Sequence, residues 1–212
     1  MLMNENRKRK GKTSHTSGAV QTVPKDPDPG LPPKAIAARV GNRDLWIGNV
    51  GAIKPRLLSG LELNPEYIVT VNETATAATT DHYPLKDEHV NDHQKFSAAV
   101  ETTRTHIRSE GTVLVNCSVG VSRSATVIAT AIAAEDMMSF DAAVAEIRKH
   151  RPRANPHPKL QLNAYAYLVI KESRAEARHQ IEALADDIHL RSENGKAIEE
   201  LVSTESTDQT SS

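Results

Sequence analysis

One stretch constrains this chain more than any other: Val115-Asn116-Cys117-Ser118-Val119-Gly120-Val121-Ser122-Arg123-Ser124. Residues 112–116 on its amino side read as a short β-branched strand. On its carboxyl side, residues 123–134 are apolar on nearly every face (Ala125, Val127, Ile128, Ala129, Ala131, Ile132, Ala133), which predicts a buried helix. A strand that feeds a buried helix through a loop of small residues gathers backbone N–H groups and a helix N-terminus around one point, and such a point suits an anion. A tetrahedral phosphate dianion needs many convergent donors, and small side chains let the amides of Ser118, Val119, Gly120, Val121, Ser122 and Arg123 approach it. Gly120 supplies the freedom the bend requires. Arg123 can offer two phosphoryl oxygens a planar fork, where a lysine would offer a point charge. The same donors favour the thiolate of Cys117 over the thiol, so a nucleophile in a preformed oxyanion cradle is the chemistry this pattern suggests. The bland alternative, a buried structural cysteine at a strand end, leaves the small-residue loop and the Arg-Ser pair without a reason.

Composition narrows the field. Cys117 is the one cysteine in 212 residues, so an intramolecular disulfide and a multi-cysteine zinc site are both excluded, and a reducing, cytoplasmic setting is expected. The first residues are polar and basic with no apolar run behind them, and no stretch of about 18 apolar residues occurs, so neither a secretory signal nor a membrane span is expected. Only 3% of residues are aromatic, which leaves few platforms for stacking bases and makes nucleic acid a poor partner. The net charge of −1 conceals a gradient. Residues 1–35 carry seven Lys/Arg against three Asp/Glu, and residues 172–212 carry four against ten. The basic run Arg7-Lys8-Arg9-Lys10 and the Pro-rich segment 24–33 predict a disordered tail over 1–38, whose charges are either solvated or a contact for an anionic surface. Residues 193–212 are expected to form a second loose tail.

Between the tails, apolar runs alternate with helical patterns. This predicts an α/β domain over 39–172, with a central, mainly parallel sheet of about four to five strands flanked by helices. Strands are expected at 45–50, 67–71, 82–85 and 112–116. Helices are expected at 55–59, 92–109, 123–134, 139–150 and, as one long element, from 158 to about 190, of which 173–192 would extend beyond the domain. Gly111 stands where a C-cap belongs, and Ser139 where an N-cap belongs, with Asp141 in the first turn.

The loop resembles the signature Cys-x5-Arg-Ser/Thr of the cysteine-dependent protein phosphatases, and within them the dual-specificity group is most similar. The resemblance extends over 39–172. Leu45-Trp46-Ile47-Gly48-Asn49 looks like the family's first strand, and Tyr67-Ile68-Val69-Thr70-Val71-Asn72 like the strand that often ends in Asn. Tyr83-Pro84-Leu85-Lys86-Asp87 resembles the segment that carries the general acid. Arg151-Pro152-Arg153-Ala154-Asn155-Pro156-His157-Pro158 resembles the proline-rich turn before the last helix. The resemblance implies a protein-tyrosine-phosphatase-like fold and hydrolysis of phosphate monoesters on phosphorylated proteins through a cysteinyl-phosphate, with neither metal nor cofactor required. Cys117 would be the nucleophile, Arg123 and the loop amides the phosphate site, Asp87 the acid and then the base, and Ser124 the hydroxyl that assists the departing thiolate. Asp81, Glu88 and Asp92 stand as alternatives to Asp87, which by itself reads as a solvated loop aspartate; Ser124 by itself reads as a first-turn cap. No Lys or Arg lies inside the loop, which leans toward phosphoproteins rather than highly charged phosphoinositides.

Two departures stand out. Asn116 replaces the His that usually precedes the cysteine and brings no positive charge, and His157 replaces the Asn that commonly follows the proline of the turn. Residues 147–171 hold no Asp or Glu but six Lys/Arg, either a surface that steers anionic substrates or a complement to the acidic C-terminal segment. Other readings of the same residues are a phosphate-binding pseudophosphatase, and the same chemistry on RNA 5′-phosphates or lipid headgroups. No aromatic side chain adjoins the loop in sequence, so Tyr83 or Trp46 would have to be brought to it by the fold.

Overall fold

The computed structural model describes residues 36–54, 63–109, 111–174 and 176–187. Five strands form one sheet: β1 (Ala37–Arg39), β2 (Leu45–Asn49), β3 (Tyr67–Thr70), β4 (Asp81–His82) and β5 (Val113–Cys117), in the order β1-β2-β5-β3-β4. β1 runs antiparallel to β2, and every other neighbouring pair is parallel. The helices are α1 (His93–Arg108), α2 (Arg123–Glu135), α3 (Phe140–His150), α4 (Pro158–Glu172) and α5 (Glu176–Asp187), with one 3₁₀ turn at Val50–Ile53. The mainly parallel α/β expectation holds. No helix among the described residues is long and apolar enough to cross a membrane.

Strand alternation divides the core in two. On β5, Val113, Val115 and Cys117 face α1 and α2 and join the main cluster, whereas Leu114 joins a smaller cluster with Ala37, Ala52, Ile53, Leu63 and Ile68 on the opposite face. α2 is buried over Arg123 to Ala134, as its all-round apolar sequence requires; its two interior threonines return their hydroxyls to carbonyls four residues back. Asp92 caps α1 by accepting from the Lys95 amide at 2.8 Å, and Ser139 caps α3 by accepting from that of Ala142 at 3.2 Å.

Several expectations are corrected. Residues 37 and 38, expected in the tail, pair with β2 as part of β1; Ala38 packs into the main core and Ala37 into the smaller cluster on the sheet's other face. The strand expected at 82–85 is only the pair Asp81–His82, because Pro84 has no amide to give a ladder. The expected single helix from 158 breaks at Ser173, which adopts a left-handed φ of 52° and lets its amide close on Leu168 O. The chain then reverses into α5, whose Ala177 and Ile181 join the main core, so packing continues past residue 172. Gly111 is not the cap of α1. Ser109 is, and a side chain at 111 would collide with Glu66 and the Tyr67 ring, the close approach that makes glycine necessary there. The helix expected at 55–59, the end of the long helix beyond 187 and the tail segments 1–35 and 193–212 lie outside the described residues.

Candidate active site

The parallel register brings the carboxyl ends of the strands to one edge. Asn49 is level with Cys117, Thr70 with Asn116, and His82 with Thr70, so the segments leaving β2, β3, β4 and β5 meet there. Ligand sites of open parallel sheets form at this edge.

Cys117 is 2% exposed. Its Sγ lies 3.4 Å from Ser124 Oγ and accepts the Gly120 amide at 3.2 Å. The loop carbonyls all have donors outside the cradle: Ser118 O receives the Val50 amide at 3.5 Å, Val119 O and Gly120 O receive the guanidinium of Arg151, Val121 O receives the Asn155 amide at 2.8 Å, and Ser122 O receives the Thr126 amide at 2.8 Å. With the carbonyls turned outward, the amides that follow them turn the other way. Gly120 has φ +69°, which favours a residue without Cβ.

Arg123, 6% exposed, is fixed by Nη1 to Asn72 Oδ1 at 3.0 Å and Leu85 O at 3.2 Å, and by Nη2 to Ser118 Oγ at 2.8 Å. Ser118 in turn donates to Asn72 Oδ1 at 2.7 Å. The buried Nε of Arg123 has no hydrogen-bond partner, and the nearest carboxylate oxygen, Asp87 Oδ2, is 3.5 Å away. A buried donor of that kind suits an incoming oxyanion.

Asp87 reaches the loop through Ser122, whose hydroxyl donates to Asp87 Oδ1 at 2.9 Å. The other three carboxylates are placed differently. Asp81 accepts from Thr80 and pairs with His106 at 2.9 Å, Asp92 caps α1, and Glu88 is exposed with a left-handed φ of 56°. Neither aromatic candidate serves as a clamp. The Tyr83 hydroxyl pairs with Thr102, and Trp46 lies against the smaller core with its Nε1 on Asp44. The exposed apolar side chains next to the loop are Val119 and Val50.

Both departures from the family pattern now have positions. Asn116 shares the sheet face of Leu114, and its Nδ2 donates to Thr70 Oγ1 at 3.1 Å, so its side chain does not meet the sulfur. His157 caps α4 by accepting the Lys159 amide on Nδ1 at 3.2 Å, while its own amide donates to Ser122 Oγ at 3.2 Å. Sequence reasoning missed Asn72 and Arg151 as supports of the site. Their signals were the polar end of a buried strand and an arginine at a helix end, both common enough to carry no direction.

The dual specificity phosphatase catalytic-domain model matches residues 45–184, and the chain belongs to that family. A search of the curated proteins finds no match. Among solved structures, human DUSP28 is 22% identical with a TM-score of 0.55 over 65% of this chain and 93% of its own. A mouse putative dual specificity phosphatase complexed with zinc tungstate is 22% identical with a TM-score of 0.56 over 74% and 97%. A human tyrosine phosphatase-like serine/threonine/tyrosine-interacting protein is 18% identical with a TM-score of 0.56 over 65% and 99%. At these identities the likeness is one of fold.

Proposed function

We propose that the protein is a phosphatase that hydrolyses phosphate monoesters on proteins, phosphotyrosine and/or phosphoserine/threonine, through a cysteinyl-phosphate. The observation that carries this reading is the joint placement of the Cys117 sulfur, the buried Arg123 Nε, which makes no hydrogen bond, and the Asp87 carboxyl 3.5 Å from it, about one loop whose carbonyls are all held outward. In the first step the thiolate lone pair forms an S–P bond, and the P–O bond to the leaving group breaks. The Asp87 carboxyl gives its proton to the departing oxygen. In the second step water attacks phosphorus and passes a proton to the Asp87 carboxylate, the S–P bond breaks, and inorganic phosphate and the thiolate are regenerated. The loop amides and Arg123 hold the three non-bridging oxygens through both steps. Ser124 Oγ, 3.4 Å from the sulfur, donates to the thiolate as it leaves. Asn116 does not oppose this reading, since its side chain is engaged with Thr70.

The test is hydrolysis of an aryl phosphate in the presence of chelator, across about pH 5 to 8, by the wild type and by Cys117→Ser. Turnover is expected in the wild type and is reduced by about 10⁴-fold or more in the variant, which still binds phosphate or vanadate. Turnover retained by Cys117→Ser would remove the nucleophile. Binding without turnover in either protein would make this a phosphate-binding pseudophosphatase.

A further inference from the structure

Arg151 ends α3 as its C-cap residue, is 6% exposed, and turns its guanidinium onto the loop that holds the cysteine. Its Nε donates to Gly120 O at 2.5 Å and its Nη2 to Val119 O at 3.0 Å, so one side chain grips two consecutive peptide groups. A trans peptide directs its C=O and N–H oppositely, and no cis bond occurs among the described residues. Holding Val119 O outward therefore sends the Gly120 N–H inward, where it meets Cys117 Sγ at 3.2 Å. Holding Gly120 O outward likewise turns the Val121 N–H inward. Gly120 is closely hemmed in: a Cβ there would lie 2.6 Å from Gly48 O and 2.7 Å from Arg151 Nη2. The loop thus lies against both the β2 backbone and one buried cation. Burial pushes that guanidinium down from its ordinary value, Cys117 opposes the depression, and Arg153 adds to it.

We propose that Arg151 is a positioning residue for the reaction, one that locks the peptides after Val119 and Gly120 so that the amides of Gly120 and Val121 face the sulfur and the phosphoryl group. Its consequence for turnover rests on the phosphatase reading, but its geometry is readable on the thiol alone. Arg148 is the natural control. It braces the same turn through Ala154 O at 2.8 Å and Asn155 Oδ1 at 3.1 Å, and its side chain makes no hydrogen bond to the loop itself, which it meets only through the Asn155 amide on Val121 O.

The experiment uses the full chain, whose single cysteine makes alkylation by iodoacetamide a clean readout. Rates are measured at about pH 6 and about pH 8.5 for wild type, R151Q, R151K and R148Q, with thermal melting and vanadate inhibition alongside. In R151Q the ratio of the low-pH to the high-pH rate falls about tenfold, because a charged sulfur loses a fixed donor, and vanadate binds about tenfold more weakly. R148Q leaves both within about twofold. R151K keeps the charge but not the two-point grip, and its ratio falls at least about threefold. Should R151Q fail to fold, R151K decides. A wild-type ratio in a folded Arg151 variant, or an equal shift in R148Q, overturns the proposal. Retained turnover in Cys117→Ser would overturn the phosphatase reading instead, and the alkylation ratio would be unaffected by that outcome.

Discussion

At the scale of single residues, the site depends on where a few small groups point. Asp87 accepts on Oδ1 from the Ser122 hydroxyl and the Glu88 amide, and its Oδ2 stands 3.5 Å from Arg123 Nε. Asp87→Asn is expected to slow cleavage of alkyl-like, poor leaving groups by about 10²-fold or more and to spare good phenolic ones, since only the former need a proton in transit. An equal loss across a leaving-group series would point to another acid. Gly120 has no room for a methyl group, which would meet Gly48 O and Arg151 Nη2, and sits at φ +69°. Gly120→Ala should cost about 1–3 kcal/mol in a denaturant melt and lower kcat/KM by at least about 10²-fold, because the loop must yield at the peptides that face the sulfur. A variant with wild-type turnover would show that the loop tolerates a different path. The candidate nucleophile and the arginine stand out by spacing, and the candidate acid by the family resemblance of its segment. The supports do not stand out, because Asn72 and Arg151 lie 45 residues before and 34 after the cysteine and meet its loop only in space.

At the scale of elements, one cation ties three helices together behind the sheet. Arg104 of α1 donates through Nε to Glu135 at the end of α2 at 2.6 Å, and through Nη1 to Glu172 of α4 at 2.5 Å and to the Tyr167 hydroxyl at 2.6 Å. Arg104 lies 8% exposed, and this company raises its pKa against the cost of burial. Replacing it with Ala leaves partly buried carboxylates without their partner and should cost about 3–5 kcal/mol, read as a shift of the denaturation midpoint at unchanged slope. A loss below about 1 kcal/mol would mean that Arg108, which also donates to Glu135, suffices for that carboxylate. Helix starts were legible here, since Ser139 and the first apolar turns announce them locally. The reversal at Ser173 was not, because apolar residues continue past it and only packing of Ala177 and Ile181 onto the core decides the turn.

At the scale of the whole molecule, pH acts through groups that the fold has withdrawn from water. His93, in the first turn of α1, is lowered from its ordinary value chiefly by burial and also by Lys171, with Asp92 opposing. The unfolded chain binds the proton more tightly, so stability is fully present above about pH 6.5 and declines as pH falls through that value toward the depressed folded one. Glu135 adds a second loss at lower pH: burial raises it, but donation from Arg108 and Arg104 outweighs burial and leaves it lowered, so its contribution fades as pH falls below the ordinary carboxylate range. The melting temperature should therefore drop between about pH 6.5 and 5, and His93→Gln should flatten that segment. An unchanged slope in the variant would assign the loss to other groups. The sequence by itself determined the class of fold and the Cys-x5-Arg loop with its candidate residues, since hydrophobic period, turn residues and the Cys-x5-Arg spacing are local properties. Only the tertiary structure decided which carboxylate reaches the loop, which face of β5 receives Asn116, and which distant arginine turns the loop amides inward. Those choices depend on strand register and helix packing, which bring together residues that no local pattern connects.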